Sequence, residues 1–202
     1  MGAPSEATVV GLPRPAGLAV PAIVAGVVIL LDQASKAWAE ARLDVGPCTA
    51  ETCIDLVGPL RFHLSYNTGM SFGVGQGSGL GWLIGVVACV VAVWLLQLAR
   101  RSGTRVAVQL AVVAGGAIGN VIDRVARAED GFLTGGVVDF IDAQFFPIFN
   151  VADMAVVGGV ISLMVAPWIF GDEGLPFAET DSPEESARRE GSAPAEDSAP
   201  VE

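Results

Sequence analysis

Two aspartates in the second half of the chain, Asp139 and Asp153, are the strongest candidates for catalytic chemistry. Asp139 follows Gly135-Gly-Val-Val, and Asp153 opens the last long apolar stretch. The connecting segment can fold back and bring the two side chains together. Two neighbouring carboxylates share one proton, because they cannot both ionise cheaply. The ionised carboxylate can then activate a water molecule while the protonated one hydrogen-bonds a substrate carbonyl.

The sequence contains few residues suited to other catalytic arrangements. His63 is the only histidine and no two cysteines form a CxxC pair, so a zinc site lacks its clustered ligands. A Ser/His/Asp triad would need His63, which has no nucleophile motif around it, and we interpret His63 as a half-buried sheet residue. Lys36 is the only lysine, and its neighbour Ser35 points elsewhere on a helix. We expect no metal and no cofactor.

These residues belong to an unusually apolar chain. Of its 202 residues, 52% are hydrophobic and 16% charged, with a mean hydropathy of +0.57, which is beyond the range of an ordinary soluble domain. Four stretches are long and apolar enough to cross a bilayer as helices. They lie at about 16–38, 80–99, 106–122 and 151–170. The first has only Arg14 before it, and we interpret it as a retained helix.

The net charge of −11 reflects mainly the end of the chain, because ten of the 22 acidic residues lie in residues 171–202. That stretch is rich in Pro, Ser, Ala and Glu and is predicted to be a disordered cytoplasmic tail. Residues 1–15 are predicted to be a short cytoplasmic tail, and residues 16–170 a single membrane domain. The charge distribution offers no basic face for a nucleic-acid partner.

Orientation follows from the short loop between the second and third spans, which carries Arg100, Arg101 and Arg105 and no acidic residue. Basic short loops stay in the cytoplasm. Both termini are then cytoplasmic, and residues 39–79 and 123–150 form loops on the outer side.

The long outer segment, residues 43–76, shows partial alternation of apolar and polar residues and a turn signal at Gly58-Pro59. This pattern predicts short strands in a small sheet at the membrane surface. Cys48 and Cys53 lie in this segment and can form a disulfide in an oxidising compartment. Their spacing alone does not settle whether the geometry permits the bond.

With this topology, polar residues from several spans meet near the outer end of the helices. Charge at membrane depth is costly and by default indicates function. The residues concerned are Asp32, Lys36, Asn120, Asp123, Arg124 and Asp153, joined by Asp139 and Asp142 from the loop before the fourth span.

Each of these features also has a structural explanation. Asp32 and Lys36 are four residues apart and can pair on one helix face. Arg124 can anchor a helix end by reaching the lipid headgroups. Gly115, Gly116 and Gly119 form a small-residue surface suited to close helix packing.

Five motifs, in their order along residues 16–170, resemble those of the lipoprotein signal peptidases. The motifs are Asp32-Gln-Ala-Ser-Lys36, Asn67-Thr-Gly-Met-Ser-Phe72, Gly115-Gly-Ala-Ile-Gly-Asn-Val-Ile-Asp-Arg124, Val137-Val-Asp-Phe140 and Phe149-Asn-Val-Ala-Asp153. The resemblance implies a mainly α fold, a membrane four-helix bundle with a small periplasmic β-sheet. It also implies a multi-pass enzyme of the bacterial inner membrane, with its active site near the outer face.

The activity implied by the resemblance is that of an aspartic endopeptidase, inhibited by globomycin. It cuts diacylglyceryl-modified prolipoproteins just before the lipid-modified cysteine, in contact with membrane lipids. The catalytic pair falls on Asp139 and Asp153. Substrate-binding or supporting roles fall on Asn67, Gly69, Asn120, Arg124 and Asn150, and on Asp32, Lys36, Gly116 and Asp123. A monomer would suffice, because one chain supplies every motif.

One segment departs from the family pattern. Phe145-Phe-Pro-Ile-Phe149 is compact where a longer polar insert is usual, which leaves the shape of the entrance open. Its aromatic side chains suit the membrane boundary.

Two other classes of function deserve comparison. A proton-coupled carrier would distribute polar residues across the membrane midplane, but the inner halves of the second and fourth spans are almost entirely apolar. A non-catalytic scaffold would use the glycine surfaces for packing and would tolerate Asp→Asn changes.

Overall fold

The computed structural model describes residues 17–50, 52–69, 81–129 and 131–170. The two predicted tails, Met70–Phe72 of the second motif, and the rest of the segment before the second helix lie outside these residues. The described elements, in chain order, are α1 (Ala19–Arg42), β1 (Cys53–Asp55), β2 (Arg61–Asn67), α2 (Gly81–Ala99), α3 (Thr104–Ala126), β3 (Val137–Asp142) and α4 (Val151–Phe170).

The four helices are each long and apolar enough to cross a membrane, as the sequence predicts, and the fold is mainly α with a small sheet. α1 extends further than its apolar run, to Arg42, and α3 occupies residues 104–126 rather than 106–122. Polar residues at these ends continue the helices because their side chains are paired with one another, as described below.

α3 is the central helix of the bundle. Of its most apolar window, 61% is buried, compared with 22% for α1 and α2 and 6% for α4. α3 packs against each of the other three helices, whereas α2 and α4 make no extensive contact with each other. A gap between α2 and α4 therefore exposes one side of α3.

Glycines on α3 permit this central packing. A Cβ atom at Gly115 would lie 2.9 Å from the Ala25 carbonyl oxygen of α1, and one at Gly116 would lie 2.5 Å from the Ala152 carbonyl oxygen of α4. Only hydrogen fits at such distances, so these glycines bring the helix backbones into direct contact. The predicted packing role of this small-residue surface is confirmed.

The three strands form one antiparallel sheet in the order β1-β2-β3. A turn at Gly58, where φ is +61°, joins β1 to β2 as the sequence predicts. β3 was not predicted, and residues 123–150 were interpreted as a loop. This strand is buried at every position except Ile141, so it lacks the alternation that identifies a half-exposed strand.

The sheet is fixed on the end of α1 by a small apolar core. Ala39 and Leu43 of α1 pack with Leu64, Val138 and Phe140 of the sheet. The Trp38 ring meets the Phe62 ring edge to face, with centroids 5.1 Å apart. Because Val138 and Phe140 of β3 belong to this core, Asp139 between them is held at a defined position above the helices.

A disulfide joins Cys48 to Cys53, with their Cα atoms 5.4 Å apart. The sequence did not decide whether this disulfide forms. The bond is present, and it closes the loop that leads into β1. The Nε2 atom of His63 lies 2.8 Å from the Gly46 carbonyl oxygen and donates to it, which fixes the same loop to β2. His63 is a partly buried sheet residue, as predicted.

Candidate active site

The start of α4 is built by a reciprocal cap between Asn150 and Asp153. The Asn150 Oδ1 atom accepts a hydrogen bond from the Asp153 backbone N–H at 3.0 Å. The Asp153 Oδ2 atom accepts one from the Asn150 backbone N–H at 3.2 Å. This is the capping-box arrangement, with Asp at the third helical position. The same local chemistry that starts the helix therefore fixes the Asp153 carboxylate.

Asn150 also connects the two candidate catalytic aspartates. Its Nδ2 atom donates to Asp139 Oδ1 at 2.6 Å and to the Val138 carbonyl oxygen at 3.2 Å. Asn150 is fully buried. One amide side chain thus holds the end of α4 against β3 and touches Asp139 and Asp153 together.

Two further asparagines complete the hydrogen bonds to the aspartates. Asn67 Nδ2, at the end of β2, donates to Asp139 Oδ2 at 3.1 Å. Asn120 Nδ2, on α3, donates to Asp153 Oδ1 at 2.9 Å. With the Asn150 contacts, each carboxylate has a donor on both of its oxygen atoms.

Lys36 is the centre of a buried polar network behind the aspartates. Its ammonium nitrogen lies 2.8 Å from Asp32 Oδ2, Asp123 Oδ2 and Asn120 Oδ1. The Lys36 side chain is 1% exposed and both carboxylates are fully buried. The predicted Asp32–Lys36 pair exists, but it is part of a larger arrangement that reaches Asp153 through Asn120.

Asp32 and Asp123 each use a second oxygen to fix the backbone beside an aspartate. Asp32 Oδ1 accepts the Ala152 N–H at 2.9 Å, at the start of α4. Asp123 Oδ2 accepts the Val138 N–H at 3.2 Å, next to Asp139. Both carboxylates thus hold the main chain next to a candidate catalytic aspartate.

Three residues that were not predicted from the sequence extend this network outward: Gln33, Glu40 and Arg127. Gln33 Nε2 donates to the Gly119 carbonyl at 3.1 Å. Arg127 pairs with Asp123 and Glu40, each at 2.7 Å. The sequence signal that could have identified Arg127 is its spacing of four residues from Asp123, which permits an ion pair along a helix.

Arg124 points into the site and not toward a lipid headgroup. It is 5% exposed, and its Nη2 atom donates to the Gly69 carbonyl at 2.8 Å. Among the described residues its buried Nη1 atom has no hydrogen-bond partner. The alternative of an interfacial anchor is therefore wrong, because the α3 end is covered by residues 67–69 and the start of α2.

Asp142 does not belong to the site. It lies on β3, three residues after Asp139, and its Oδ2 atom accepts from Arg61 Nε at 2.7 Å. The expected convergence of this residue with the others is wrong, because it sits at the far end of the strand and pairs with β2.

The two aspartates face a cavity of about 410 Å³. Its polar end holds the aspartates, Asn67, Asn120 and Arg124, and its other walls are small or branched apolar side chains from three helices and β3. The apolar lining residues are Ile84, Ala88, Ala117, Val121, Val137 and Val156. Because α2 and α4 do not close against each other, this apolar side faces the surface of the bundle.

Burial and the negative charge of Asp153 raise the pKa of Asp139 to about 7. The hydrogen bonds from Asn67 and Asn150 oppose this rise, since they stabilise the ionised form. A proton can therefore reside on Asp139 near neutral pH. Among the described residues, no group of three or more His, Cys, Asp or Glu side chains could hold a metal ion.

Comparison with known proteins gives a consistent result. The family model described as signal peptidase (SPase) II matches residues 24–169. A lipoprotein signal peptidase of Bifidobacterium longum subsp. infantis is 39% identical, over 84% of this chain and 87% of that protein. The corresponding protein of Deinococcus radiodurans is 36% identical, over 72% of this chain and 78% of that protein.

Solved structures support the fold. A bacterial membrane enzyme determined by the in meso method at 2.3 Å resolution superposes with a TM-score of 0.59 and 24% identity, covering 80% of this chain and 95% of that one. A second, at 1.9 Å resolution, gives a TM-score of 0.56. From the family match over most of its length and the identity to these relatives, the chain belongs to the signal peptidase II family.

Proposed function

We propose that this protein is a membrane aspartic endopeptidase that removes signal peptides from diacylglyceryl-modified prolipoproteins, cleaving just before the lipid-modified cysteine. The observation that carries the proposal is the position of Asn150, which hydrogen-bonds both Asp139 and Asp153 at the end of a cavity. The names of the relatives supply the substrate class.

The two aspartates take different roles in the proposed reaction. Asp153 lies in the first turn of α4, where the helix dipole favours negative charge, and it acts as the base. It takes a proton from a water molecule, whose oxygen attacks the scissile carbonyl carbon, and it then gives that proton to the leaving amide nitrogen as the C–N bond breaks. Asp139, buried and protonated near neutral pH, hydrogen-bonds the carbonyl oxygen and stabilises the charge that develops there.

Arg124 is suited to hold the substrate. Its Nη2 atom is occupied by Gly69, while its Nη1 atom is a buried donor in the cavity wall without a partner among the described residues. A buried unpaired guanidinium N–H is costly, and a substrate carbonyl group would satisfy it. Arg124 thus positions the peptide in this proposal, with its guanidinium group held by the Gly69 carbonyl, while Gly116 permits the close approach of α4 to α3.

The substrate enters from the lipid phase. Its signal peptide and acyl chains are apolar, and the apolar side of the cavity opens where α2 and α4 are apart. Membrane lipids and diacylglyceryl-modified prolipoproteins are therefore the proposed partners, with a monomer as the working unit. No metal or cofactor takes part.

The proposed location is the inner membrane of a bacterium, with both termini in the cytoplasm. The site then lies near the outer face, at the end of the bundle opposite the loop of Arg100, Arg101 and Arg105. The membrane domain extends over residues 16–170, between tails 1–15 and 171–202.

Cleavage of a diacylglyceryl-modified prolipoprotein by the purified full-length protein tests the proposal. Asp139→Asn and Asp153→Asn should each reduce kcat by about a thousandfold or more, because neither amide can hold or accept the proton. Asp142→Asn is the matched control, since this aspartate lies on the same strand outside the cavity. It should retain near-normal activity.

EDTA should leave the wild-type activity unchanged, and thermal unfolding should show that the two inactive variants remain folded. If Asp139→Asn or Asp153→Asn cleaved the substrate at a near-normal rate, that aspartate would not belong to the catalytic pair. If the wild type did not cleave the substrate, the proposal would be wrong and the carrier and scaffold alternatives would have to be tested.

A further inference from the structure

The loop between α3 and β3 buries a leucine in a backbone conformation that leucine rarely adopts. Leu133 has a φ of +62°, in the left-handed region, where a residue with a Cβ atom is unfavourable. Its side chain is nevertheless only 1% exposed, whereas the neighbouring Phe132 is 74% exposed. Such a conformation persists only where the surrounding contacts require it. The contacts of Leu133 therefore indicate its role.

The Leu133 side chain packs against α2 at Gly85. A Cβ atom at Gly85 would lie 3.0 Å from the Leu133 Cβ atom and 3.1 Å and 3.2 Å from its two δ-methyl carbons. One turn earlier, a Cβ at Gly81 would lie 3.1 Å from the Thr68 carbonyl oxygen and 3.2 Å from the Arg124 Nη1 atom. Because neither glycine has a side chain, the start of α2 rests directly on Leu133 and on the end of α3.

The two halves of α2 are held in different ways. In the second half, Ala92, Leu95 and Ala99 belong to an apolar core that α2 shares with α3. In the first half, residues 81–90, only Gly81 and Gly85 are buried, and neither has a side chain with which to pack. The position of this half therefore depends on the surface beneath it, to which Leu133 contributes a large apolar side chain.

The first half of α2 is also a wall of the cavity that the aspartates face. Ile84 and Ala88 line this cavity. They lie one residue before and three residues after Gly85, so they occupy the helix face next to the one that contacts Leu133. The contact at Gly85 thus determines where this wall stands relative to Val156 of α4, which also lines the cavity.

α2 contributes to the cavity but not to the hydrogen bonds of the aspartates. Within the part of the chain that the structure describes, the side chains that hydrogen-bond the two carboxylates lie on β2, on α3 and just before α4: Asn67, Asn120 and Asn150. A displacement of α2 would therefore change the space for the substrate and leave the geometry of the aspartates in place.

We propose that Leu133 is the positioning residue for the α2 wall of the substrate cavity. It packs on Gly85 and thereby fixes Ile84 and Ala88 at the distance from α4 that the substrate requires. This inference rests on the proposed function. Leu133 does not line the cavity itself, so it acts through α2, on substrate binding and not on the chemical step.

Leu133→Gly tests this role in the full-length protein in detergent, with a diacylglyceryl-modified prolipoprotein as substrate. Glycine adopts a positive φ without strain, so this variant removes the side chain and preserves the loop conformation. KM should rise about tenfold, because the unsupported wall loses apolar contact with the substrate. The value of kcat should stay within about twofold of the wild type, as expected when only binding is lost.

Two further variants serve as controls for Leu133→Gly. Leu133→Met keeps an apolar side chain of similar volume and should restore a KM near that of the wild type. Phe132→Gly changes the preceding residue of the same loop, whose side chain is largely exposed, and it should leave KM unchanged.

A double variant examines the contact itself. Gly85→Ala alone places a methyl group against Leu133, so it should displace α2 and raise KM. In combination with Leu133→Gly, the same methyl group enters the space that the leucine has left. The KM of the double variant should therefore be lower than that of either single variant, which two independent changes would not produce.

A wild-type KM in Leu133→Gly, a loss confined to kcat, or additive effects in the double variant would overturn the positioning role and leave the proposed function intact. If Leu133→Gly did not fold, Gly85→Ala would decide the matter, because an unchanged KM in that variant would also overturn the role. Failure of the wild type to cleave the substrate would overturn the proposed function, and this inference with it.

Discussion

Lys36 determines which way the Asn120 amide faces. An ammonium group only donates hydrogen bonds, so the contact at 2.8 Å requires Asn120 to present its oxygen to Lys36. The Asn120 amino group must then face Asp153, to which it donates at 2.9 Å. The only lysine in the chain thereby orients the amide group that hydrogen-bonds the candidate base.

The hydrogen bond from Asn67 to Asp139 predicts a measurable pH effect. If protonated Asp139 is required, kcat/KM should fall as the pH rises through about 7. Asn67→Ala removes a donor that stabilises the ionised form, so the pKa of Asp139 should rise further. The alkaline limb of the pH–rate profile should move upward by roughly one pH unit.

Ser65→Ala is the control for that measurement. Ser65 lies on the same strand as Asn67 and opposite Asp139, and its substitution should leave the alkaline limb of the pH–rate profile in place. A downward movement in Asn67→Ala would show that the limb reports another group.

At the scale of elements, the position of Asp153 depends on the contact between α3 and α4. Gly116 touches the Ala152 carbonyl, one residue before Asp153, and the capping box fixes Asp153 relative to the helix start. The start of β3 is fixed from two sides, because Asp123 and Asn150 both hydrogen-bond the main chain of Val138. The aspartates thus come from two elements that are held together by side chains of α3, by the α4 cap and by a backbone bridge between Ile141 and Phe149.

Gly116→Ala should therefore impair catalysis more than folding. Its Cβ would overlap the Ala152 carbonyl at 2.5 Å, so α4 must move relative to α3. A displacement of about 1 Å can cost about a hundredfold in rate, and we expect a kcat loss of this order in the cleavage assay.

Gly158→Ala is the matched control, because a Cβ at Gly158 has no atom within 4 Å. It should keep full activity and can gain up to about 1 kcal/mol of helix stability. Equal activity in the two variants would show that the close α3–α4 approach is not needed for catalysis.

At the scale of the whole molecule, the candidate aspartates and the basic loop lie at opposite ends of the bundle. The aspartates lie where α1 and α3 end and α2 and α4 begin. At the opposite end, the Arg105 guanidinium lies 4.3 Å from the centroid of the Phe170 ring, which joins the start of α3 to the end of α4. The disulfide belongs to the first end, and such bonds persist in oxidising compartments.

Cysteine labelling tests the orientation that follows. In a chain whose native cysteines are replaced by serine, Ala50→Cys should react with a membrane-impermeant maleimide in intact cells. Thr104→Cys, at the exposed start of α3 beside the basic loop, should react only after permeabilisation. The reverse pattern would place the candidate site on the cytoplasmic side.

Much of this architecture follows from the sequence alone. The four membrane helices are evident because each is a run of apolar residues whose length matches the bilayer. Asp139 and Asp153 are recognisable as candidates because carboxylates at membrane depth are rare and costly. The hairpin at Gly58 and the close packing at Gly115 and Gly116 also follow from local rules, since they depend on the residue itself.

Only the tertiary structure decided how these parts meet. β3 was missed because a strand buried on both faces shows no alternation, and Asp142 was misplaced with it. Asn150 joins Asp139 to Asp153 across elements, and Arg127 lies between Asp123 of α3 and Glu40 of α1. Such contacts depend on the relative positions of elements distant in the chain, which residue spacing does not encode.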